Sequence, residues 1–357
     1  MHGRMHSSPL PPHAAIPMKL PSHSIRKLAA AVGLVLVANA PNGCICSYLG
    51  PKGEPPELPS DPHPLSDLNT EFDDFNAAAR YRTVDVELVF SSNRASPDRT
   101  FDLFTSQLRF TERDVSASPA VPFLSDAMSP ANEYGPLFLG DTMLAFASDR
   151  PGGAGKLDLY RTHLARDASS APPEAFTGLN SPANDAYLAT YAGAALALFA
   201  SDRNGSYDIF EVLPHEKIFA PDARPQLVSA LSSSAHDTAP FLFEHTPSPE
   251  AERVSLNPRR GKPREHYEAQ RHAYVVFASG RAGGRGGFDL YCSRLDEGRW
   301  QEPRPLTELN SPSDEFRPII ADMSFGGGEV IIFSSNRPGG KGGFDLYYAK
   351  FEDPFGS

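Results

Sequence analysis

The 357-residue chain is poor in cysteine, in positive charge and in long apolar stretches, and each shortage removes a class of protein. Three cysteines, Cys44, Cys46 and Cys292, are too few for a disulfide framework. The formal net charge of -11 leaves no excess of Lys and Arg to neutralise phosphates, so nucleic acid is excluded as a partner. The apolar run at residues 28–40 (LAAAVGLVLVANA) falls short of the roughly 20 residues that cross a bilayer. There is no G-x-S-x-G elbow, no Ser-His-Asp signature and no zinc-ligand spacing, so neither a metal nor an organic cofactor is expected. Helical periodicity is missing after residue 69.

What is abundant is turn chemistry. The 35 prolines and 28 glycines punctuate short runs of β-branched and aromatic residues, the signature of many short strands. One stretch recurs five times: FSSNRASPDRTFDLFTSQL from Phe90, FASDRPGGAGKLDLYRTHL from Phe146, FASDRNGSYDIFEVL from Phe199, FASGRAGGRGGFDLYCSRL from Phe277 and FSSNRPGGKGGFDLYYAKF from Phe333. From Arg94 to Arg150, Arg203, Arg281 and Arg337 the steps are 56, 53, 78 and 56, somewhat above the ~40 to 50 residues of a propeller blade. Between the copies stand LNSPAND from Leu179, LSSSAHD from Leu231, LNSPSDE from Leu309 and MSPANE from Met128, each followed by a short apolar segment. Each unit therefore has four strand candidates. The second strands, such as VIIF from Val330, are apolar at consecutive positions, as suits a blade covered on both faces.

The last unit lacks a fourth strand, and PHPLSDLNTEFDDF from Pro62 matches PRPLTELNSPSDEF from Pro303. The segment before Leu68 is therefore expected to complete the last blade and cover its edge. The fold class is an all-β propeller of four-stranded blades over residues 62–353, five-bladed, with six as the alternative count.

The pattern F-x-S-x-R-x-G-x-x-D-[LI]-[YF] resembles the WD40-like propeller repeat of TolB-like periplasmic proteins and many envelope lipoproteins, over about residues 62–351. The sequence departs from TolB in having no separate N-terminal α/β domain, and has five units where six are usual there. The resemblance implies a non-enzymatic binding scaffold of the bacterial cell envelope that recognises protein or peptidoglycan-associated partners. The alternative is a glycosidase-like, carbohydrate-active enzyme, since five-bladed propellers also host glycosidases with two or three carboxylates in a central funnel.

The N-terminal region reads as an export signal: residues 28–40 follow Arg26 and Lys27, and a start at Met18 would give a more ordinary signal. Cys44, after Gly43, resembles a lipobox cysteine, although Pro41 and Asn42 depart from that motif. It is the candidate for lipidation and membrane anchoring. Residues 44–61 are a proline-rich tether. The expected location is the periplasm or the outer membrane.

Three positions recur in all units: the five arginines, the aspartates Asp102, Asp158, Asp208, Asp289 and Asp345, and the acids Asp74, Glu133, Asp185, Asp237 and Glu315. Propeller connectivity puts arginines and acids on one face, as ion pairs fixing blade geometry or as a ring binding a cation or a basic segment. Chemistry would require something unrepeated, an acid or base with a displaced pKa. The glycine turns (RPGGAGK, RAGGRGG, RPGGKGG) lead into strands and not helices, so they are tight turns and not phosphate cradles. Lys156, Arg285 and Lys341 are expected to add positive charge to that face. Asn76, Tyr134, Tyr187, Thr238 and Arg317 are the candidates to face the channel. Cys292 has no cysteine equivalent in the other units and is expected to be structural. Residues 245–271 interrupt the fourth unit with a charged loop whose Arg259, Arg260, Lys262 and Arg264 could meet an acidic partner or an anionic lipid surface. His245, His266 and His272 do not have metal-ligand spacing.

Overall fold

A computed structural model describes residues 58–82, 85–96, 100–110, 115–165, 169–191, 195–245, 272–323 and 328–356. The signal region, Cys44, the tether up to residue 57, and Arg259, Arg260, Lys262 and Arg264 lie outside the described residues. The chain forms five antiparallel sheets. The inner strands are Asp74–Arg82, Glu133–Phe138, Asp185–Thr190, Asp237–His245 and Glu315–Met323, and they define blades 1 to 5. Each inner strand touches the inner strands of both neighbouring blades, and that of blade 5 returns to that of blade 1, which closes the ring.

The third strand of each blade begins at a repeat aspartate, as in Asp102–Phe110 and Asp345–Lys350. The fourth strand is short; in blades 1 and 4 it is split into two pieces that both pair with the third. Blade 5 takes its outer strand from the other end of the domain. His63–Pro64 runs antiparallel to Asp345–Lys350, with His63 opposite Tyr348 and Pro64 opposite Tyr347. The join is mortised by Asn69, whose amide donates to Leu346 O at 2.9 Å and accepts from Leu346 N at 2.8 Å. Asn180 and Asn310 make the same two-way bond to Leu159 and Leu290, so the Asn of each LNS motif locks a blade to the third strand of the one before. Closure uses the same joint as the interior seams.

Packing between blades explains the consecutive apolar positions. Phe90, Phe146, Phe199, Phe277 and Phe333, the first residue of each repeat, are all fully buried. Burying one such side chain contributes about 1.5–3 kcal/mol. Cys292 is buried among these packed strands as a free thiol, and burial raises its pKa well above the ordinary range. His245 and His272 stand opposite one another at the end of the hairpin that flanks the insertion; His245 Nδ1 is hydrogen-bonded to Glu329 at 2.9 Å, and His272 Nδ1 lies 2.9 Å from Asp296 Oδ1.

Each inner strand carries an irregularity after its second residue, where the register with the second strand shifts. The third residue, Asn76, Gly135, Tyr187, Ala239 or Arg317, has φ between 45° and 59°, in the left-handed region. Such a bulge bends the strand and re-aims a side chain. Here it turns the third residue inward.

Candidate active site

The repeated charges form five closed units. Arg150 Nη2 meets Glu133 Oε1 at 2.9 Å, Arg203 meets Asp185 at 2.6 Å, Arg281 meets Asp237 at 2.7 Å and Arg337 meets Glu315 at 2.9 Å; Arg94 and Asp74 make the same pair. In each, Arg Nε donates to the serine two residues earlier, as from Arg281 to Ser279 Oγ at 2.7 Å. Nη2 also donates to a main-chain carbonyl, for example Leu231 O at 2.8 Å. Every ring acid is fully buried. The arrangement is the structural one of the two expected, with each arginine fork tied at several points. A ring of acids open to a cation or a basic segment is not what these residues form.

The repeat aspartates organise the glycine turns. Asp289 accepts from the N–H groups of Arg285 at 2.8 Å and Gly286 at 3.1 Å, and Asp345 from Lys341 at 2.7 Å and Gly342 at 3.1 Å. Gly340 is required by this clasp, because a Cβ there would lie 1.9 Å from Asp345 Oδ2. The basic residues of the turns are less free than the sequence suggests. Lys341 Nζ donates to Ser66 O at 2.8 Å and Arg285 Nη1 to Asn310 O at 2.7 Å, so both latch onto the LNS segment of the next blade.

Channel lining differs from expectation at two positions. Arg317 spans the axis from blade 5, with Nη1 on Pro240 O at 2.8 Å, Nη2 on Pro136 O at 3.2 Å, and its guanidinium 5.6 Å from the centre of the Tyr187 ring. Asn76 faces Tyr187 from blade 1. Gly135 makes room for that ring, since a Cβ there would lie 2.6 Å from Tyr187 Cδ1. Tyr134 and Thr238 are second residues of their strands, one place before the inward turn. Tyr134 stays half-buried at the rim and Thr238 is buried.

At that rim the sequence reading missed a feature. Phe75, Tyr134 and Phe316 from the inner strands join Phe101, Tyr207, Phe288 and Phe344, each the residue before a repeat aspartate, in a half-buried aromatic mouth. Ring centroids lie 4.9 Å apart for Phe75–Phe101, 5.3 Å for Phe101–Tyr134 and 5.4 Å for Phe288–Phe316. The recurring aromatic ahead of Asp-[Leu/Ile]-[Tyr/Phe] was a readable signal. Between Tyr207 and Phe288 stands exposed His236, whose Nδ1 accepts from Tyr207 N–H at 3.0 Å. Its other nitrogen, Nε2, therefore carries the proton of the neutral ring. Asp73, Asp202 and Asp314 are half-buried on the same loops as these rings, and Asp149 is exposed there; each is hydrogen-bonded to an asparagine side chain.

Five-fold equivalence fails where blade 1 meets blade 2. In the other blades, the second carboxylate oxygen of the ring acid accepts a backbone N–H, such as Ser181 N to Asp185 at 2.6 Å or Ser311 N to Glu315 at 2.9 Å. Glu133 Oε2 is buried without a hydrogen-bond partner among the described residues. Burial pushes the Glu133 pKa up to about 7, against the pull of Ser129 and Arg150, and the neighbouring Asp102 charge adds to the rise. Asp102 is also the exception in its own series. It is half-buried, none of the described residues donates a hydrogen bond to it, and burial alone raises its pKa. The two acids sit next to Phe101 and Tyr134, with Glu133 N–H bonded to Phe101 O at 2.8 Å. Among the described residues, no three His, Cys, Asp or Glu side chains converge as metal ligands.

Comparison with protein-family models and with curated proteins gives no match. Solved structures of the same architecture do match. They include an endo-arabinase from Bacteroides thetaiotaomicron (TM-score 0.53, 13% identity, 84% of this chain and 99% of that one). A second is an α-L-arabinofuranosidase from Podospora anserina determined with cellotriose (TM-score 0.54, 9% identity, 84% and 99%). A third is the catalytic domain of a Coprinopsis cinerea family 62 α-L-arabinofuranosidase (TM-score 0.52, 9%, 82% and 97%). At these identities the likeness defines the class as a five-bladed, four-stranded β-propeller. It also corrects the expectation of a non-enzymatic envelope scaffold, since these three similar structures are named as glycoside hydrolases and not as binding scaffolds.

Proposed function

We propose that the protein is a carbohydrate-active propeller, glycosidase-like in chemistry, with Glu133 and Asp102 as its reacting acids and the aromatic mouth as its sugar platform. The observation that carries this reading is the break in symmetry between blades 1 and 2, where burial raises one repeat acid to a pKa of about 7 and its neighbour, half-buried where the other repeat aspartates are buried, is also pushed up by burial. Glycoside hydrolysis uses two acids in unlike environments, one donating a proton to the leaving oxygen and one acting on water or the sugar carbon. Glu133, still partly protonated near pH 7, supplies the proton to the glycosidic oxygen. Asp102 takes the proton from the attacking water as the bond to the sugar carbon forms.

Phe75, Phe101 and Tyr134 offer apolar faces on which a sugar ring stacks, and the asparagine-held carboxylates around the mouth accept from hydroxyls. The similar structures named as arabinofuranosidases and an arabinase support pentose-containing polysaccharides as the substrate class. Incubation with arabinan, arabinoxylan and xylan, followed by reducing-end and product analysis, tests the reading. Release of sugar by the wild-type protein is expected; no release and no saturable binding of any of the three would overturn it.

A further inference from the structure

Between blades 3 and 4 lies an open cleft of about 820 Å³, whose walls include Glu211, Leu213 and Leu227 from blade 3 and Glu244, Leu295 and Trp300 from blade 4. Glu244 stands near the end of its inner strand, whereas the ring acid Asp237 opens that strand. The cleft is therefore at the opposite end of the sheets from the aromatic mouth. At the same end of the next seam, Phe243, Tyr274, Phe351 and Phe355 pack ring against ring, with centroids 5.3 to 6.1 Å apart. Blades 3 and 4 leave open space there.

The walls carry groups that a sealed seam would not. Leu213 and Leu227 are 58% and 43% exposed, two of the four large apolar side chains left exposed among the described residues. Trp300 is the only tryptophan of the chain. It is held opposite Leu295 by a two-residue turn, Glu297-Gly298, in which both φ angles are positive, the geometry of a tight hairpin. Its indole Nε1 is buried with no hydrogen-bond partner among the described residues, and a donor so placed is costly to leave unmet. Glu211 is half-buried, and burial is what raises its pKa; none of the described residues bonds or ion-pairs with its carboxylate. Glu244 accepts from the Tyr191 hydroxyl across the seam. Arg299, the base in the lining, is exposed. Past Leu295 and Arg299 the cleft continues into a second space of about 850 Å³ beside Asp296 and Glu297.

We propose that this cleft docks an extended peptide segment of a partner protein, one that sets Lys or Arg beside an apolar residue. The cation meets Glu211, a peptide carbonyl accepts from Trp300 Nε1–H, and the apolar side chain covers Leu213 and Leu227. A net charge of -11 steers basic partners towards the protein. The exposed leucines distinguish the cleft from a sugar platform, which offers flat ring faces, and two joined spaces fit a chain better than one small molecule, for which roughly 300–1,000 Å³ suffices. The site is separate from Glu133 and Asp102, and its fate does not depend on the hydrolytic reading.

Selection of a random heptapeptide phage library on the wild-type protein, followed by titration of the enriched peptides against tryptophan emission, tests the site. Because Trp300 is the only tryptophan, a saturable change in emission reports occupancy of the cleft. Enriched sequences should place Lys or Arg next to an aliphatic or aromatic residue. Glu211→Gln should weaken their binding about tenfold or more, and Leu227→Ser should weaken it too, with Tm little changed in either variant. Failure to enrich any sequence, enrichment of sequences without a basic residue, or binding unaltered in both variants would overturn the proposal. So would an emission change produced by arabinoxylan oligosaccharides and by no peptide, which would assign the cleft to sugar.

Discussion

Arg150 meets Glu133 through one carboxylate oxygen at 2.9 Å and leaves the other buried with no hydrogen-bond partner among the described residues. In Asp74, Asp185, Asp237 and Glu315 that second oxygen receives a backbone N–H one turn upstream. Ser129 supplies only its hydroxyl to Glu133, and on the same oxygen that Arg150 holds. One missing N–H separates a strut from a titratable group.

That difference predicts a pH dependence of stability. A folded-state pKa of about 7 against 4.5 in the unfolded chain means the folded protein binds the extra proton between those values. Stability from this group is therefore unaffected below about pH 4.5, falls as pH rises through the interval, and is lowest above 7. The full loss is about 3 kcal/mol. Urea unfolding from pH 4 to 8 should show this decline in the wild type and a smaller one in Glu133→Gln. Identical profiles for the two proteins would place the titration elsewhere.

The other ring pairs should behave as structure. Arg337→Met leaves Glu315 buried and unpaired, and is expected to cost about 3–5 kcal/mol. Adding Glu315→Leu should recover much of that loss, because the uncompensated charge goes with it. A double-mutant cycle by urea denaturation measures the coupling; additive losses would contradict the account.

Closure gives a third expectation. Leu65 is 2% exposed beneath the strand that completes blade 5, and Asn69 ties that segment to Leu346. Leu65→Ala should cost about 2–5 kcal/mol and Asn69→Ala about 1–3 kcal/mol. Both should raise hydrogen exchange first in the strand Asp345–Lys350. Exchange that rises first in blade 3 would argue against a closure joint.

Much of this scaffold was legible because its residues repeat. Arg94 to Arg337, their acids, the LNS motifs and the match between the segments at Pro62 and Pro303 each state the same contact several times. The inward-facing residues were harder. Alternation along a strand offers Tyr134 and Thr238 as readily as Asn76 and Tyr187, and only the left-handed third residue decides between them. Nor does Arg317 announce that it crosses the axis, because that depends on the Pro136 and Pro240 carbonyls and the Tyr187 ring offered by other blades. The acid centre was hidden for a related reason. Glu133 and Asp102 occupy repeated positions, and what distinguishes them among the described residues is the unpartnered Glu133 Oε2 and the partial exposure of Asp102.

His236 offers a probe of the mouth that leaves the acids alone. It is exposed, oriented by Tyr207 N–H, and replaces the asparagine or aspartate found at this position in the other blades. His236→Ala should raise KM for a polysaccharide several-fold with little change in kcat or in Tm. A change in kcat with KM unaltered would assign it to the chemical step instead.

The most direct test of the proposed function is the pH–rate profile of polysaccharide hydrolysis for the wild type, Asp102→Asn and Glu133→Gln, each checked for folding by circular dichroism. The wild type should lose activity as pH rises through about 7, where Glu133 gives up its proton. Both variants should lose about 10²- to 10⁴-fold in kcat while still binding the sugar. Hydrolysis undiminished in both folded variants would contradict the assignment of Glu133 and Asp102 as the reacting acids.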